Sequence, residues 1–312
     1  MKKLLVLLTA ALLVTGCSSS SNADDTTNND GGSTSSTTIN VYTRDASSGT
    51  REAFMGAIDL DDLTLTAIEV SGNGDMASKV GADESGIGYV SLTTDFAANN
   101  LTALQFNGVD ASVETVNDGS YTMSRPFGYV TRASGDFESD DQEALVAAFL
   151  DYMVNSTEGM LVIEAAGGIV DLSSSTPWEE LKVNHPIVDQ DNSGLTISTG
   201  GSTSVEKAVA AALESFVPMA GNFSFTMNQT GSSDGYKRVL GEEKDGANAV
   251  TIGFASRPFS DSELVDEGMS TGKICMDAVV AVVNATNSLT NITTEQLNGI
   301  YAGSITTFEE LN

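Results

Sequence analysis

The residues best suited to chemistry in this chain form the segment RDASSGTRE at positions 44–52. It follows a strand-like run at residues 39–42 and leads into a helix-like stretch. Small hydroxyl residues and glycine between a strand and a helix are typical of an anion-binding turn, because free backbone N–H groups and the helix dipole face the ligand. Arg44 would add a charge-assisted hydrogen bond. The segment therefore predicts an oxyanion site.

Two further turns of this kind stand at predicted strand-to-helix junctions. They are GGSTS at residues 200–204 and GSSDG at residues 231–235. Ser or Thr at a helix start is most often a plain N-cap, and Thr203 with Glu206 also matches a capping box. Three such turns in one chain, one with an adjacent arginine, nevertheless favour a shared oxyanion site.

Other kinds of site find little support in the sequence. No G-x-S-x-G elbow occurs, and a Ser–His pair would depend on His185, which lies in a stretch rich in Ser, Asp and Pro. Residues 231–237 lack the spacing of a nucleotide P-loop, and GNG at residues 72–74 is too short for a dinucleotide fingerprint. One His and two Cys argue against a zinc site. We therefore expect no cofactor, no metal and no catalytic residue.

The composition is strongly acidic, with a formal net charge of −29. Nucleic-acid binding relies on basic patches, so this charge argues against a nucleic-acid partner. It does not exclude an anion site, because surface charge is screened within about 8–10 Å. Neutral donors and one arginine suffice to hold an anion. The simplest interpretation of the acidity is solubility in an extracellular setting.

The N-terminal residues have the features of an exported lipoprotein. MKK at residues 1–3 is basic, residues 4–14 are almost wholly apolar, and Cys17 follows small residues. The apolar run is too short to span a membrane as a stable helix. We expect a signal peptide with a lipobox over residues 1–17 and a lipid on Cys17, the alternative being an ordinary signal peptide. Residues 18–38 have no large apolar side chain and are predicted to be a disordered tether.

Strand and helix patterns alternate along the rest of the chain, which predicts an α/β fold with mainly parallel sheets. Cys275, without a partner once Cys17 carries lipid, is predicted to be a small buried side chain. The predicted strands are residues 39–42, 87–90, 195–197, 250–254 and 279–283, and the predicted helices are residues 144–153, 158–166, 205–216 and 293–301.

Several separate stretches resemble the phosphate-binding proteins of bacterial ABC importers. The similarity covers nearly all of residues 39–172 and 195–312. The later block resembles the N-terminal half of that family in TISTGGSTSVEKAV, TGSSDGYKRVL, VTIGFASRPFS, MDAVVAVVN and LTNITTEQLNGIYAGSITTFEEL. The earlier block resembles its C-terminal half in VYTRDASSGTREAF, VSGNGDMASKV, ESGIGYVSL, YTMSRPFGYV and FLDYMVNSTEGMLVIEAAG.

The two halves stand in the opposite order to the family's. In the family, a segment like TTFEEL runs on into the strand that carries the Arg-x-x-x-Ser-Gly-Thr turn, whereas here that strand follows the tether. This order indicates a circular permutation in which residues 173–194 join the old termini. The rival interpretation, a piece of a tandem array, is disfavoured by the signal and tether before residue 39. A permuted chain should place Asn312 near Ile39 and the strand at Val41 in one sheet with residues 279–283.

The resemblance implies an α/β fold of two lobes, of the periplasmic-binding-protein-like type II. Mixed sheets would be flanked by helices, with the ligand cleft between the lobes. One lobe would comprise residues 39–125 and 279–312 and carry the Arg-x-x-x-Ser-Gly-Thr turn, and the second would comprise residues 126–278. Crossover strands would lie near residues 125–131 and 278–283.

The resemblance also implies a set of ligand residues. In some family members a third turn carries an aspartate that accepts a hydrogen bond from protonated phosphate, and the aligned residue here is Ser256. A serine hydroxyl also accepts hydrogen bonds, which is compatible with phosphate. The loss of a fixed carboxylate weakens the basis for rejecting sulfate. The implied phosphate ligands are Arg44, Ser48, Gly49, Thr50, Thr203, Ser204, Ser232 and Ser256.

The function implied by the resemblance is capture of inorganic phosphate outside the cytoplasmic membrane. A monomeric protein, anchored to the cell membrane by its lipid, would deliver the ion to the transmembrane subunits of an ABC permease. The alternatives are a binding protein for another tetrahedral oxyanion, such as sulfate or molybdate, and a phosphate sensor or adhesion module without a transporter. A phosphate-ester hydrolase is disfavoured because the sequence lacks an evident nucleophile–base pair.

Overall fold

The computed structural model describes residues 38–265 and 271–311. The predicted signal peptide at residues 1–17, with its lipid site Cys17, lies outside them, as does the predicted tether except for Thr38. Within the described ranges, no helix is long and apolar enough to cross a membrane.

Strands and helices alternate along the chain, and each element predicted from the sequence has a counterpart. The strands are β1 (Asn40–Arg44), β2 (Ile68–Val70), β3 (Gly86–Ser91), β4 (Leu101–Ala103), β5 (Gln105–Phe106), β6 (Ser124–Thr131), β7 (Thr196–Gly201), β8 (Ser224–Gln229), β9 (Ile252–Ala255), β10 (Thr271–Asn284) and β11 (Asn291–Ile292). The α-helices are α1 (Gly49–Ala57), α2 (Asn73–Ala82), α3 (Val113–Asn117), α4 (Asp140–Asn155), α5 (Thr157–Ala165), α6 (Trp178–Leu181), α7 (Glu206–Phe216), α8 (Ser232–Lys237) and α9 (Thr294–Ala302).

The main sheet runs in the order β2-β1-β3-β10-β6-β9-β7-β8, and β4 also pairs with β10. Its outer strands pair in parallel, β1 with β2 and β3, and β7 with β8 and β9. Every antiparallel pair in this sheet involves β6 or β10. The sheet is therefore mixed, as the family resemblance implied. The prediction of mainly parallel pairing was wrong because alternation along the chain does not reveal strands that run back through the centre.

Buried apolar side chains form two large clusters, one on each side of the central strands. The first core draws on residues 39–123 and 278–301 together with Ile169, and the second core draws on residues 127–275. Strand β6 passes between the two cores, as does β10, whose residues 271–278 pair with β6 and whose residues 279–283 pair with β3. Two cores joined by two crossing strands are a two-lobed α/β fold.

An aromatic cluster in the first core fixes the turn that follows β1. The Phe54 ring stacks on Tyr89 with centroids 4.1 Å apart, and Tyr301 meets Phe54 edge-on at 4.7 Å. The Tyr89 hydroxyl accepts a hydrogen bond from the Arg44 backbone N–H at 3.0 Å. Because the three rings come from α1, β3 and α9, their packing holds the start of α1 against the sheet.

The first described strand lies beside the last part of the chain. The Ile39 N–H donates to the Thr306 carbonyl at 2.8 Å, and Thr38 forms an antiparallel bridge with Thr307. Strands β1 and β10 both pair with β3, so they share one sheet. These contacts meet the geometric condition that a permuted order sets, although Asn312 lies outside the described residues. The permutation itself stays a prediction.

Residues 173–194, predicted to join the permuted halves, fold into short helical turns against the second core. Trp178 is 3% exposed, and its ring stacks on His185 with centroids 6.0 Å apart. The His185 Nε2 lies 2.7 Å from Asp151 Oδ2. Both side chains therefore serve local packing, as expected. Cys275 is buried in the same core, as predicted.

Candidate functional site

The turn after β1 begins helix α1 with a capped N-terminus. Ser48 is the N-cap, and its hydroxyl accepts a hydrogen bond from the Arg51 N–H at 3.3 Å. The Asp45 carboxylate closes the turn by accepting from the Ser47 N–H at 2.9 Å. Thr50, in the first turn of α1, is 2% exposed. The turn therefore buries its hydroxyls beside the positive end of the helix dipole.

The turn after β7 lies directly against this first turn. The Arg44 Nη1 donates to Thr203 Oγ1 at 3.1 Å, and the hydroxyls of Thr50 and Ser204 lie 2.9 Å apart. Arg44 and Thr50 belong to elements packed on the first core, whereas Thr203 and Ser204 precede α7, which packs on the second core. These contacts therefore bridge the two cores.

The third turn, at the start of α8, approaches the backbone of Gly49. A Cβ added to Gly49 would collide with Ser232 Oγ, so only glycine allows this approach. The Ser232 hydroxyl accepts a hydrogen bond from the Ser256 N–H at 3.0 Å, and the two Oγ atoms are 3.2 Å apart. Ser256 is fully buried. The structure thus brings all the residues predicted as ligands into one cluster.

Thr203 does not cap helix α7. The N-cap position is Val205, which makes no side-chain capping bond. The Thr203 hydroxyl instead accepts hydrogen bonds from Arg44 and from the Asn73 N–H at 3.1 Å. The capping-box interpretation of Thr203 with Glu206 was therefore wrong, because α7 begins too late for Thr203 to occupy the cap.

Arg44 is the central cation of the cluster and is 1% exposed. Its Nη2 donates to Asp45 Oδ2 at 3.3 Å and to the Ser71 carbonyl at 3.4 Å. Burial lowers the pKa of Arg44 and Asp45 opposes that shift, but a guanidinium keeps its charge at neutral pH. The buried Nε has no hydrogen-bond partner among the described residues. An unpaired buried N–H is costly, so this atom is suited to an acceptor oxygen of a ligand.

Sequence reasoning missed a buried ion pair behind the hydroxyls. The Nε and Nη2 atoms of Arg125 both donate to Asp277 Oδ2, at 3.0 and 2.9 Å, and the two side chains are 2% and 0% exposed. Asp277 Oδ1 accepts hydrogen bonds from the Ser91 hydroxyl and the Leu92 N–H. Burial raises the pKa of Asp277 and lowers that of Arg125, while their mutual attraction opposes both shifts. Together these hydrogen bonds to the carboxylate favour the ionised pair.

Arg125 links this ion pair to two of the predicted ligand residues. Its Nη1 donates to Ser256 Oγ at 3.2 Å, and its Nη2 donates to Ser204 Oγ at 3.1 Å. The one signal in the sequence was a lone arginine in SRPFGYV and a lone aspartate in KICMDAVV, two mainly apolar strands. Opposite charges on two buried strands predict a pair only when the strands are known to be neighbours.

Comparison with known proteins places this chain in a family. A model described as "PBP superfamily domain" matches residues 22–157 and 187–310, which is more than half of the chain. The chain belongs to the PBP superfamily. The "Phosphate-binding protein PstS 2" of Streptococcus agalactiae serotype V is 28% identical over 285 residues, covering 88% of both chains. The protein of the same name from Streptococcus pneumoniae serotype 4 is 26% identical over 283 residues, again covering 88% of both.

A solved structure supports the fold of this PBP-superfamily protein. The phosphate-binding protein of a phosphate ABC transporter from Streptococcus pneumoniae TIGR4 superimposes with a TM-score of 0.61 at 26% identity. The match covers 88% of this chain and 100% of that chain. The two-lobed architecture expected from the sequence therefore agrees with a solved relative. The names of these relatives describe binding proteins rather than enzymes.

A third arginine of this PBP-superfamily protein, Arg257, bridges the two cores at the edge of the cluster. Arg257 makes two hydrogen bonds to the Glu263 carboxylate, at 2.6 and 2.8 Å, and its Nε lies 2.9 Å from Glu52 Oε2 in α1. Hydrogen bonding to Glu263 raises the pKa of Arg257. Its Nη2 also donates to Ser233 in α8 at 3.3 Å. Arg257 therefore connects α1 with α8.

The cluster opens into an acidic cavity of about 810 Å³. Its wall includes Thr203 of the cluster and no Lys or Arg among the described residues. An anion entering by this route meets a repulsive field, which salt weakens. The five carboxylates that line the cavity are Asp45, Glu69, Asp75, Glu206 and Asp234.

The chemistry available in the cluster is hydrogen-bond donation to an anion. It combines the guanidinium of Arg44, serine and threonine hydroxyls and the N-terminus of α1. Among the residues that the structure describes, no group of three or more His, Cys, Asp or Glu could hold a metal ion. Such a set of donors is suited to holding an oxyanion.

Proposed function

We propose that this PBP-superfamily protein captures inorganic phosphate outside the cytoplasmic membrane and delivers it to an ABC permease. The observation that carries the proposal is the buried Arg44 guanidinium. Its Nε has no hydrogen-bond partner among the described residues, and its Nη1 donates to the Thr203 hydroxyl of a separate turn. The names of the streptococcal relatives support phosphate as the ligand. The solved neighbour, a binding protein of a phosphate ABC transporter, supports delivery to a permease.

When phosphate binds, the hydroxyls of the cluster would give up their hydrogen bonds to one another and donate to the phosphate oxygens instead. Arg44 would supply the charge, and Ser48, Gly49 and Thr50 would contribute donors from the start of α1. The ligand has five heavy atoms, so a ceiling of about 1.5 kcal/mol per atom allows roughly −7 to −8 kcal/mol of binding free energy, or about micromolar affinity. The remaining proposed ligands are Thr203, Ser204, Ser232 and Ser256.

The proposed division into lobes follows the two cores. Residues 39–125 with 279–312 would form one lobe and residues 126–278 the other, with residues 173–194 joining the permuted halves. Closure of the lobes would exclude water and strengthen each hydrogen bond to the anion. We expect a monomer tethered by residues 18–38 to a lipid on Cys17, which would keep the captured ion close to the permease.

Sulfate is a second candidate ligand, favoured by one observation. Ser256 stands where some relatives of the family carry an acidic acceptor, and its Oγ already accepts a hydrogen bond from Arg125 at 3.2 Å. A site without a carboxylate acceptor does not repel an unprotonated oxyanion.

Calorimetric titration of the purified protein with phosphate, sulfate and molybdate tests the proposal. We expect one phosphate per chain with about micromolar affinity and weaker binding of the other two anions. If sulfate or molybdate binds more tightly than phosphate, the assignment of phosphate as the ligand is wrong. Phosphate uptake by cells that lack the gene then distinguishes transport from sensing or adhesion. Uptake equal to that of unmodified cells would assign the protein to sensing or adhesion.

A further inference from the structure

Arg125 lies behind two hydroxyls of the proposed phosphate site. Its Nη1 donates to Ser256 Oγ at 3.2 Å and its Nη2 donates to Ser204 Oγ at 3.1 Å. The side chain is held from the other side by two hydrogen bonds to Asp277 and lies 5.6 Å from the centre of the Phe127 ring. Arg125 is 3% exposed, so its orientation is fixed by these contacts.

We propose that Arg125 is a positioning residue that sets the charge preference of the site. It holds the Ser204 and Ser256 hydroxyls as hydrogen-bond donors, so that the site selects the phosphate dianion over the monoanion. This proposal rests on the proposed phosphate-binding function. Arg125 would not contact the ion itself but would act by orienting the hydroxyls of Ser204 and Ser256.

A serine hydroxyl has one O–H donor and two acceptor lone pairs. When a guanidinium occupies one lone pair, the hydroxyl becomes a stronger donor and a weaker acceptor, because neighbouring hydrogen bonds polarise one another. Ser204 and Ser256 therefore offer their O–H groups to an anion. They are poor acceptors for the P–OH group that the phosphate monoanion brings.

Other charged groups around Arg125 do not supply the missing acceptor. Asp277, on β10, has both oxygens engaged, by Arg125 and by Ser91 with the Leu92 N–H. Arg44 on β1 and Tyr89 on β3 also influence the pKa of Arg125, and burial raises the pKa of Tyr89. The Arg44 side chain has no acceptor atom, and Tyr89 carries no negative charge near neutral pH, so neither is a carboxylate-like acceptor.

The charge of Asp277 also acts on two other titratable side chains, Tyr121 and Cys275. Burial raises the pKa of Tyr121 and of Cys275, so both stay neutral between about pH 6 and about pH 8.5. The second ionisation of phosphate lies near neutrality, whereas sulfate remains a dianion. Over this range a change of phosphate affinity with pH therefore reflects the protonation of phosphate. A change of sulfate affinity with pH would reflect the titration of protein groups.

The test measures phosphate and sulfate affinity by calorimetry at about pH 6 and about pH 8.5. For the unmodified protein we expect the phosphate Kd to be about tenfold higher at the lower pH, and the sulfate Kd to be nearly constant. Arg125→Lys keeps a charge for Asp277 but cannot direct two donors at the two serines. We expect this variant to bind phosphate more weakly and its ratio of phosphate Kd values to shrink to about twofold.

A second variant serves as the test if Arg125→Lys does not fold. Arg125→Met with Asp277→Asn removes both buried charges together, which is often tolerated, and the introduced amide would retain an oxygen for Ser91 and Leu92. The same loss of pH dependence is expected, with circular dichroism confirming the fold. A folded variant with the unmodified ratio of phosphate Kd values would overturn the proposal while leaving phosphate capture intact. An unmodified protein that binds no phosphate at either pH would overturn both.

Discussion

The backbone of Gly49 lies so close to Ser232 that a Cβ on Gly49 would collide with Ser232 Oγ. Gly49 begins α1 on the first core, and Ser232 begins α8, which packs against β9 of the second core. The close approach of these two turns is therefore a measure of how tightly the proposed lobes meet.

Gly49→Ala is expected to weaken phosphate binding by about tenfold or more, because the methyl group holds the two turns apart. The matched control is Gly56→Ala in the same helix, where an added Cβ meets no atom within 4 Å. The control should bind phosphate normally and gain up to about 1 kcal/mol of stability from helix propensity. Calorimetry and thermal melting measure the two effects. Equal phosphate affinity in the two variants would show that closure of the turns is unnecessary.

Arg44→Ala is expected to reduce phosphate affinity by about ten- to a hundredfold or more, because a charge-assisted hydrogen bond contributes about 1.5–3 kcal/mol. Lys182→Ala is the control, since it removes the same formal charge from an exposed pair with Glu179. The control should leave the affinity unchanged. Phosphate binding by the Arg44 variant at unmodified strength would remove Arg44 from the site.

Ser256→Asp is expected to increase discrimination against sulfate. The new carboxylate would lie next to Arg125, whose charge would keep its pKa low and the group ionised at neutral pH. It would accept a hydrogen bond from protonated phosphate and repel sulfate, so competition calorimetry should show a phosphate-to-sulfate preference at least about tenfold greater. Ser256→Asn, of similar size and neutral, should not show it. A gain of the same size in the asparagine variant would point to shape rather than charge.

The ion pair of Glu263 with Arg257 is expected to make the free energy of unfolding depend on pH in the acidic range. Burial alone would raise the pKa of Glu263, but hydrogen bonds from Arg257 and Ser260 outweigh burial and hold it below its ordinary value. A lowered pKa in the folded state stabilises the fold above the ordinary pKa, and this stability is lost as the pH falls through the folded value.

The corresponding measurement compares urea unfolding of the unmodified protein and Glu263→Gln between about pH 7 and about pH 3. We expect the difference in free energy of unfolding between them to shrink as the pH falls below the ordinary glutamate pKa. Glu84→Gln, outside this ion pair, serves as the control and should follow the unmodified protein. A difference that stays constant with pH would mean that the Glu263 charge contributes no stability.

The sequence predicted part of the strands and helices and the three turns of small residues, because these leave local signals. Strand β1 before RDASSGT is a strand-like run, and the apolar face of α7 is a periodic pattern. The turns combine glycine with hydroxyls at helix starts. The contact between Thr50 and Ser204 follows only from the fold, whereas the family resemblance implied that both residues belong to one site.

What the sequence did not predict depends on neighbours far apart in the chain. Arg125 and Asp277 lie 152 positions apart, and nothing local marks either as half of an ion pair. The same holds for Thr203, whose hydroxyl matches a helix cap locally but is used by Arg44 across the cleft. The antiparallel pairs of β6 and β10 are likewise set by the arrangement of whole lobes.

A crystal structure of the protein grown with phosphate tests the central claim most directly. We predict that the ion lies within hydrogen-bond distance of Arg44, including its Nε, and of the hydroxyls of Thr50, Ser204 and Ser232. Phosphate bound elsewhere on the molecule, with these residues still hydrogen-bonded to one another, would contradict the account.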